Sequence, residues 1–238
     1  MTEWQRHRQL TGPQASSLSL VFRLAVSAWL SLLASACAQV AHAQDCPAIA
    51  REFEAMLEAD QAARREWNAL VALEGRSTTE KPSQADDAQR AALRARVQTM
   101  DAAHQARLAA IIAVHGWPRR SDVGGRATMA AFVILQHAPP EFQRQVFADV
   151  QRAAAHDEID RSALAALDDR IRLHEKRPQR YGTQIEIRNG GVTLWPVEDP
   201  SNLDVRRREV GLMPICRYLA LFATPQAKVE YAPCVAAK

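Results

Sequence analysis

The sequence predicts a mainly α-helical protein, with one helical-bundle-like domain and a small β-hairpin near its C-terminal end. Three observations support this fold class. Apolar residues recur at helical spacing over long stretches, Gly and Pro interrupt that pattern as loops do, and the apolar–polar alternation of strands is clear only near residues 184–197. The chain has 238 residues, and the 195 that follow a predicted leader at residues 1–43 suffice for one domain with a proper core.

Residues 1–43 have the pattern of an export signal. Three arginines precede an apolar run from Leu24 to Ala36, which is too short to anchor the chain stably across a bilayer. The tripeptide Ala-His-Ala that ends at Ala43 is a small-x-small cleavage sequence. We therefore expect cleavage after Ala43 and a periplasmic or secreted protein.

A lipid anchor at Cys37 is the alternative interpretation, because the residues before this cysteine resemble a lipobox. The position three residues before it is Ala34, where lipoboxes prefer Leu, so we favour simple cleavage. No later segment is long and apolar enough to cross a membrane, and we expect no membrane span.

Two long amphipathic helices are predicted first, at residues 47–74 and from about Asp86 to Val114. The polar segment from Gly75 to Ser83 separates them. The second helix ends at His115-Gly116-Trp117-Pro118, with Gly at the C-cap and Pro beyond it. Helices joined in this way are expected to pair as an antiparallel hairpin.

A nearly all-apolar segment, Ala127 to Leu135, predicts the central helix, because a helix that is apolar on every side is normally buried. The prolines at 139 and 140 end it and begin the next helix. Asp160 is the predicted N-cap of a further helix that carries Leu164 and Leu167.

The predicted hairpin begins where Ile185 and Ile187 alternate with polar residues. Asn189-Gly190-Gly191 forms the turn and Val192 begins the returning strand. A helical stretch from about Leu203 to Phe222, broken near Pro214, closes the domain. We place the helical domain at residues 44–222 and an irregular tail at residues 223–238.

Three cysteines follow the predicted cleavage site, and an exported protein is expected to form one disulfide from them. A bond between Cys216 and Cys234 would close a short loop and contribute about 3 kcal/mol to stability. A bond between Cys46 and Cys234 would instead tie the two ends of the domain together. We take Cys216–Cys234 as the predicted pair and keep the other open.

Charge and motifs exclude several classes of function. Three of the 30 basic and one of the 27 acidic side chains lie in residues 1–43, so the remainder carries a net charge of only +1. No nucleic-acid partner is therefore expected. The chain has no phosphate loop, no G-x-S-x-G, no H-E-x-x-H and no pair of histidines four residues apart, so we predict neither metal nor cofactor.

Two ionisable residues on predicted helices are candidates for chemistry. Asp169 lies opposite the apolar stripe of its helix, on a side that also carries apolar residues, so it is expected to be at least partly buried and to need a partner. A structural ion pair or a bond to loop backbone is the favoured use. His137 ends the central helix and is either a general base or a hydrogen-bonded core histidine.

Several polar motifs are distributed over most of the chain, from about Glu52 to Tyr218. They are Asp60-Gln61 with Arg64, Gly116-Trp117-Pro118, Gln136-His137-Ala138, Asp169-Arg170, Gln179-x-Tyr181-Gly182-Thr183-Gln184, and Arg206-Arg207 with Gly211-Leu212. With these motifs the chain resembles the bacterial domain-of-unknown-function family 6624. The resemblance implies no particular reaction, but it singles out the polar residues that match.

Those residues form two candidate sets. The candidate catalytic residues are His137, Asp169, Tyr181 and Arg207. The candidate ligand-binding residues are Asp60, Gln61, Arg64, Gln136, Arg170, Gln179 and Gln184. They either line one cleft or form a buried network that fixes the loop from Lys176 to Gln184 onto the helices.

The expected function is the binding of a small polar ligand, or of a partner in the cell envelope, in a cleft between the regions of His137, Asp169 and Gln179–Gln184. The alternative is a hydrolase or transferase. In that case His137 would be the general base, Asp169 would orient it, and Tyr181 or Arg207 would stabilise negative charge.

Overall fold

The computed structural model describes residues 45–70, 84–188 and 190–235. The predicted signal peptide, the lipid-anchor alternative at Cys37 and the turn residue Asn189 lie outside these residues. A mainly α-helical domain with a small sheet near its C-terminal end is confirmed.

Helices form the first two thirds of the domain, and short elements follow. Residues 45–70 are helical and are called α1. The other helices are α2 (Gln84–His115), α3 (Arg120–Val123), α4 (Gly125–His137), α5 (Pro140–Ala155), α6 (Arg161–His174), α7 (Leu203–Glu209), α8 (Ile215–Ala220) and α9 (Ala232–Val235). The strands are β1 (Ile185–Arg188), β2 (Gly191–Leu194) and β3 (Lys228–Val229).

Helix α4 is the central helix, as its composition predicts. Ala127, Ala130 and Leu135 are fully buried and belong to one core with residues from α1, α2, α5 and α6. The C-terminal end of α4 is capped by Gln143, whose Nε2 donates to the carbonyl oxygen of Gln136 at 3.1 Å and to that of Ala138 at 2.8 Å. These bonds satisfy carbonyls that the end of a helix leaves without partners. His137, the last residue of α4, is thereby held at a defined place beside α1.

A second, smaller core lies between the sheet and the helices α7 and α8. Val192, Leu203, Ile215 and Leu219 form its buried centre. Strand β1 pairs antiparallel with β2, as the hairpin predicts, and β2 pairs in parallel with β3. The predicted helix from Leu203 to Phe222 is divided into α7 and α8.

The segment expected to be an irregular tail from residue 223 onward contributes β3 and α9 instead. Sequence periodicity could not reveal these two elements, because both are very short. Strand β3 has only two residues and takes its position from β2. The disulfide between Cys216 and Cys234 fixes this segment to α8 and confirms the predicted pair. None of the helices in the described part of the chain combines the length and hydropathy that a membrane span needs.

Candidate functional site

The predicted site residues lie in two groups on different elements. The first, which we call the dyad cluster, joins α1, α2 and α4 and consists of Asp60, Gln61, Arg64, Asp101 and His137. The second, which we call the loop network, joins α6 and α7 to residues 179–184 and consists of Asp169, Gln179, Gln184, Arg206 and Arg207.

Asp60 is the centre of the dyad cluster and is only 1% exposed. Its Oδ1 lies 2.9 Å from Nδ1 of His137 and accepts a hydrogen bond from Nε of Arg64 at 3.0 Å. Its Oδ2 accepts a hydrogen bond from Nε2 of Gln61 at 2.9 Å. The Arg64 guanidinium also reaches Asp101 on α2, with Nη2 2.7 Å from Oδ1. A buried carboxylate is thus paired and hydrogen-bonded, as burial of a charge requires.

The imidazole of His137 has a defined orientation within this cluster. Its Nδ1 also lies 3.1 Å from Nε of Arg64, but one ring nitrogen cannot donate and accept at once. The hydrogen-bond network assigns the proton to Nδ1, which donates to Asp60, while Arg64 donates to the same carboxylate. Nε2 of a neutral His137 is then the acceptor nitrogen, and a substrate or ligand could use it.

The surroundings shift the pKa values of two groups here. Burial alone would raise the pKa of Asp60, but the hydrogen bond from His137, together with the charge and hydrogen bond of Arg64, outweighs it and lowers that pKa below its usual value. Burial lowers the pKa of His104 on α2, although Asp60 and Asp101 act in the opposite direction. Asp60 therefore remains ionised near neutral pH, and His104 favours its neutral form.

Three side chains of the dyad cluster could hold a metal ion by their chemistry. Ligand atoms of Asp60, Asp101 and His137 lie within 4.8 Å of one another. However, the Arg64 guanidinium already contacts both carboxylates, at 3.0 Å and 2.7 Å, and provides the positive charge between them. A divalent cation would have to displace Arg64, so the arrangement favours an ion-pair network over metal coordination.

A cavity of about 240 Å³ lies beside Arg64, between α1 and α2. We call it the Arg64 cavity. Its other lining residues are Trp67, Asn68, Arg94, Val97 and Gln98, and none of the described lining residues is acidic. The Arg94 guanidinium carbon lies 5.6 Å from the centre of the Trp67 ring, within the range of a cation–π contact.

Arg170 on α6 adds a further positive charge near this region. Its Nε is buried without a hydrogen-bond partner, and no acidic side chain in the described ranges forms a salt bridge with it. Burial lowers the pKa of Arg170, and the neighbouring charge of Arg64 lowers it further. The charge of Arg64 acts on Arg170, while the carboxylates of Asp60 and Asp101 both form salt bridges with Arg64.

Asp169 is the centre of the loop network and is fully buried. Its Oδ1 accepts hydrogen bonds from the backbone N–H groups of Arg180 at 2.6 Å and Tyr181 at 3.0 Å. Its Oδ2 accepts hydrogen bonds from the backbone N–H and the hydroxyl of Thr183, both at 2.9 Å. This is the bond to loop backbone that its position on α6 favours.

Gln179 fixes the two ends of the same loop and is also fully buried. Its Nε2 donates to the carbonyl oxygens of Gln184 at 3.0 Å and Trp195 at 2.9 Å. Its Oε1 accepts the backbone N–H of Gln184 at 3.0 Å. Between them, Gly182 has a φ of 62°, and a Cβ there would lie 3.3 Å from Leu194, so both conformation and space favour glycine.

Arg207 holds the loop from the side of α7. Its Nη1 donates to the carbonyl oxygens of Tyr181 at 2.6 Å and Gly182 at 3.1 Å, and its Nε donates to that of Met213 at 2.6 Å. The guanidinium carbon lies 4.9 Å from the centre of the Tyr218 ring. Burial lowers the pKa of Arg207, with nearby anionic groups acting in the opposite direction.

The geometry changes the roles that the sequence suggests. The carboxylate hydrogen-bonded to His137 is Asp60, whereas all the described hydrogen bonds of Asp169 go to the loop. Arg207 is likewise engaged by backbone carbonyls. Gln136 contributes its carbonyl oxygen to the cap made by Gln143.

Asp101, His104 and Arg94 belong to the region of the dyad cluster, but sequence reasoning missed them. A signal was present for two of them. Asp101 and His104 fall between Val97 and Leu108 at spacings of four, three and four residues, so they occupy core positions in the apolar stripe of α2. Polar residues at such positions indicate a buried polar contact. Arg94 gives no comparable signal.

Comparison with known proteins gives one family match. The profile of a family of unknown function, DUF6624, matches residues 47–228. No curated protein and no solved structure is significantly similar to the chain.

Proposed function

We propose that this chain, which belongs to the DUF6624 family of unknown function, binds a small anionic ligand in the Arg64 cavity. The observation that carries the proposal is the composition of the lining. Two arginines, two side-chain amides and an indole surround the cavity, and no described lining residue is acidic. An anion is the ligand that such a lining complements.

Arginine is well suited to this task because its planar guanidinium can bind a carboxylate or phosphate through two parallel hydrogen bonds. Arg64 is held in place by Asp60 and Asp101, so it would lose little conformational freedom on binding. Arg94 lies over Trp67, and Asn68 and Gln98 offer further donors and acceptors. Arg170 adds positive potential nearby.

Replacing Arg94 with Gln should weaken binding of phenyl phosphate at least tenfold. A hydrogen bond to a charged group contributes about 1.5–3 kcal/mol, which corresponds to roughly a 10- to 100-fold change in the dissociation constant. Phenyl phosphate combines an anion with a ring that can stack on Trp67, and calorimetric titration measures its affinity.

Two controls make this test specific. Arg107→Gln also removes an arginine from α2, but one whose partner is the distant Glu52, so it should leave the affinity within about twofold. Phenol has the same ring without the charge and should bind much more weakly. Equal affinities of phenol and phenyl phosphate, or wild-type affinity in Arg94→Gln, would refute the proposal.

The second candidate function is a hydrolase or transferase, and the hydrogen bond between Asp60 and His137 favours it. A buried carboxylate that fixes Nδ1 leaves Nε2 as a general base, the arrangement by which acidic groups orient catalytic histidines. In this form of the hypothesis Asp60 takes the role first given to Asp169. The anionic substrate would be bound by Arg64.

His137→Asn should reduce turnover of p-nitrophenyl phosphate or p-nitrophenyl acetate about 100-fold or more, because general base catalysis contributes on the order of 10²–10⁴. The asparagine amide can still donate to Asp60, so the thermal midpoint should change little. Release of p-nitrophenolate measures the rate. If the wild-type protein releases it no faster than buffer, or His137→Asn retains full activity, the catalytic alternative is excluded for these substrates.

We also propose that the protein is exported and cleaved after Ala43. The charged and apolar regions before that residue support it, and so does the Cys216–Cys234 disulfide, because such bonds persist in oxidising compartments. The intact mass of protein isolated from bacterial periplasm should match a chain that begins at Gln44. A chain that retains residues 1–43, or one that begins with a lipidated Cys37, would contradict this cleavage site.

A further inference from the structure

We infer that the chain has a second binding site, a pocket of about 270 Å³ between α5, α6 and the Gln179–Gln184 loop, which accepts an apolar molecule that ends in a carboxylate. We call it the Tyr181 pocket. None of its described lining residues also lines the Arg64 cavity, and it does not depend on the function proposed there.

Apolar and aromatic side chains form part of the lining of the Tyr181 pocket. Phe147 of α5, Leu164 of α6 and Val210 at the end of α7 line it together with Tyr181. All four side chains are only partly buried, so their apolar surface remains open to a ligand. Covering such surface contributes about 25 cal/mol per Å², and an alkyl or aromatic group fits this lining.

Two arginines give the pocket its charge preference. Arg161 begins α6 and Arg180 belongs to the loop, and both line the cavity. Neither forms a salt bridge with an acidic side chain in the described ranges, and Nε of Arg180 is buried without a hydrogen-bond partner. The Arg180 guanidinium carbon lies 5.6 Å from the centre of the Tyr181 ring.

Asp168 is the acidic residue among the described lining residues. Its direct partner is Arg172, and the charge of Arg180 also acts on it. Its Oδ2 accepts a hydrogen bond from Nε of Arg172 at 3.2 Å, on the side of α6 that leads to Glu198. Burial also raises the pKa of Asp168. The two arginines of the pocket thus face one carboxylate, which already pairs with Arg172, and a ligand carboxylate would balance the remaining positive charge.

The loop network prepares the pocket for binding. The backbone N–H groups of Arg180 and Tyr181 donate to Asp169, at 2.6 and 3.0 Å. Their carbonyl oxygens accept from Arg206 at 2.8 Å and Arg207 at 2.6 Å. Every backbone polar group of these two residues is therefore engaged. Because the backbone that carries these two side chains is already fixed, less conformational entropy is lost when a ligand binds.

The size of the pocket limits the ligand to one of about a dozen non-hydrogen atoms, since typical small-molecule sites begin near 300 Å³. At about 0.3 kcal/mol per atom, such a ligand would bind with a dissociation constant on the order of millimolar. 4-Phenylbutyrate meets both requirements, and 4-phenyl-1-butanol has the same apolar part without the charge.

Ligand-observed NMR titration of the full mature protein with both compounds tests the inference. We expect 4-phenylbutyrate to bind at least tenfold more tightly than the alcohol, and Arg180→Gln to remove most of that preference. Arg161 is exposed and forms no salt bridge with the acidic side chains of the described ranges, so Arg161→Gln should have the same effect in a chain that folds normally. Arg208→Gln, another exposed arginine, is the control and should bind as wild type.

Two results would overturn the inference. One is equal binding of the acid and the alcohol to the wild-type protein. The other is wild-type affinity in both Arg161→Gln and Arg180→Gln. If Arg94→Gln alone abolished binding, the acid would occupy the Arg64 cavity, and the assignment to the Tyr181 pocket would be wrong.

Discussion

Replacing Asp169 with Ala is expected to lower the free energy of unfolding by about 3–5 kcal/mol, because the buried carboxylate is removed while the groups that donate hydrogen bonds to it stay buried. The backbone N–H groups of Arg180, Tyr181 and Thr183 would lose their acceptor. For a domain of this size the loss corresponds to a fall of roughly 10 °C in the thermal midpoint. Urea denaturation followed by circular dichroism measures the difference.

The neighbouring residue is a matched control. Asp168 is also a carboxylate on α6, but it is only partly buried and pairs with Arg172. Such a pair contributes about 1 kcal/mol or less, so Asp168→Ala should be close to wild type. If the two variants were equally stable, the loop network would not be a structural element, and Asp169 would regain its candidacy as a functional residue.

Arg207→Met should have the second largest effect, a loss of about 3 kcal/mol or more, because three carbonyl oxygens lose their donor at a fully buried position. Methionine keeps much of the volume, so the change isolates the lost hydrogen bonds. Arg208→Met alters the next residue of α7, which is exposed, and should change stability by less than about 0.5 kcal/mol.

The two large effects should not add. Asp169 and Arg207 bind the same short loop, Asp169 through its backbone N–H groups and Arg207 through its carbonyl oxygens. Once one of the two side chains is removed, the loop can relax, and removing the other then costs fewer hydrogen bonds. The double variant should therefore be more stable than the sum of the single losses predicts by about 1 kcal/mol or more. Strict additivity would mean that the two residues act independently.

Much of the fold follows from patterns that a sequence displays openly. The all-apolar segment at residues 127–135 is the central helix, and the hairpin strands alternate as expected. Strand β3 could not be predicted, because two residues carry no period and their place depends on the exposed edge of β2. The Cys216–Cys234 bond was one of two pairings that the positions of the cysteines suggested.

The candidate sites were less predictable, for a physical reason. Burial of Asp169 follows from helical spacing, but its partners are backbone N–H groups, which every residue except proline carries and no sequence distinguishes. The contact between Asp60 and His137 joins residues 77 positions apart and depends on how α1 packs on α4. The sequence shows that such residues are polar, but which of them pair depends on how the helices pack.

The way in which Asp169 holds its loop has a consequence for how this protein can diversify. The Asp169 carboxylate accepts hydrogen bonds from main-chain N–H groups, and any residue except proline at positions 180 and 181 can donate them. In the proposed Tyr181 pocket, substitutions at those two positions would change the lining side chains while the backbone beneath them keeps its conformation. Asp169, Gly182 and Arg207 thus define a constant loop backbone on which the side chains at positions 180 and 181 can vary.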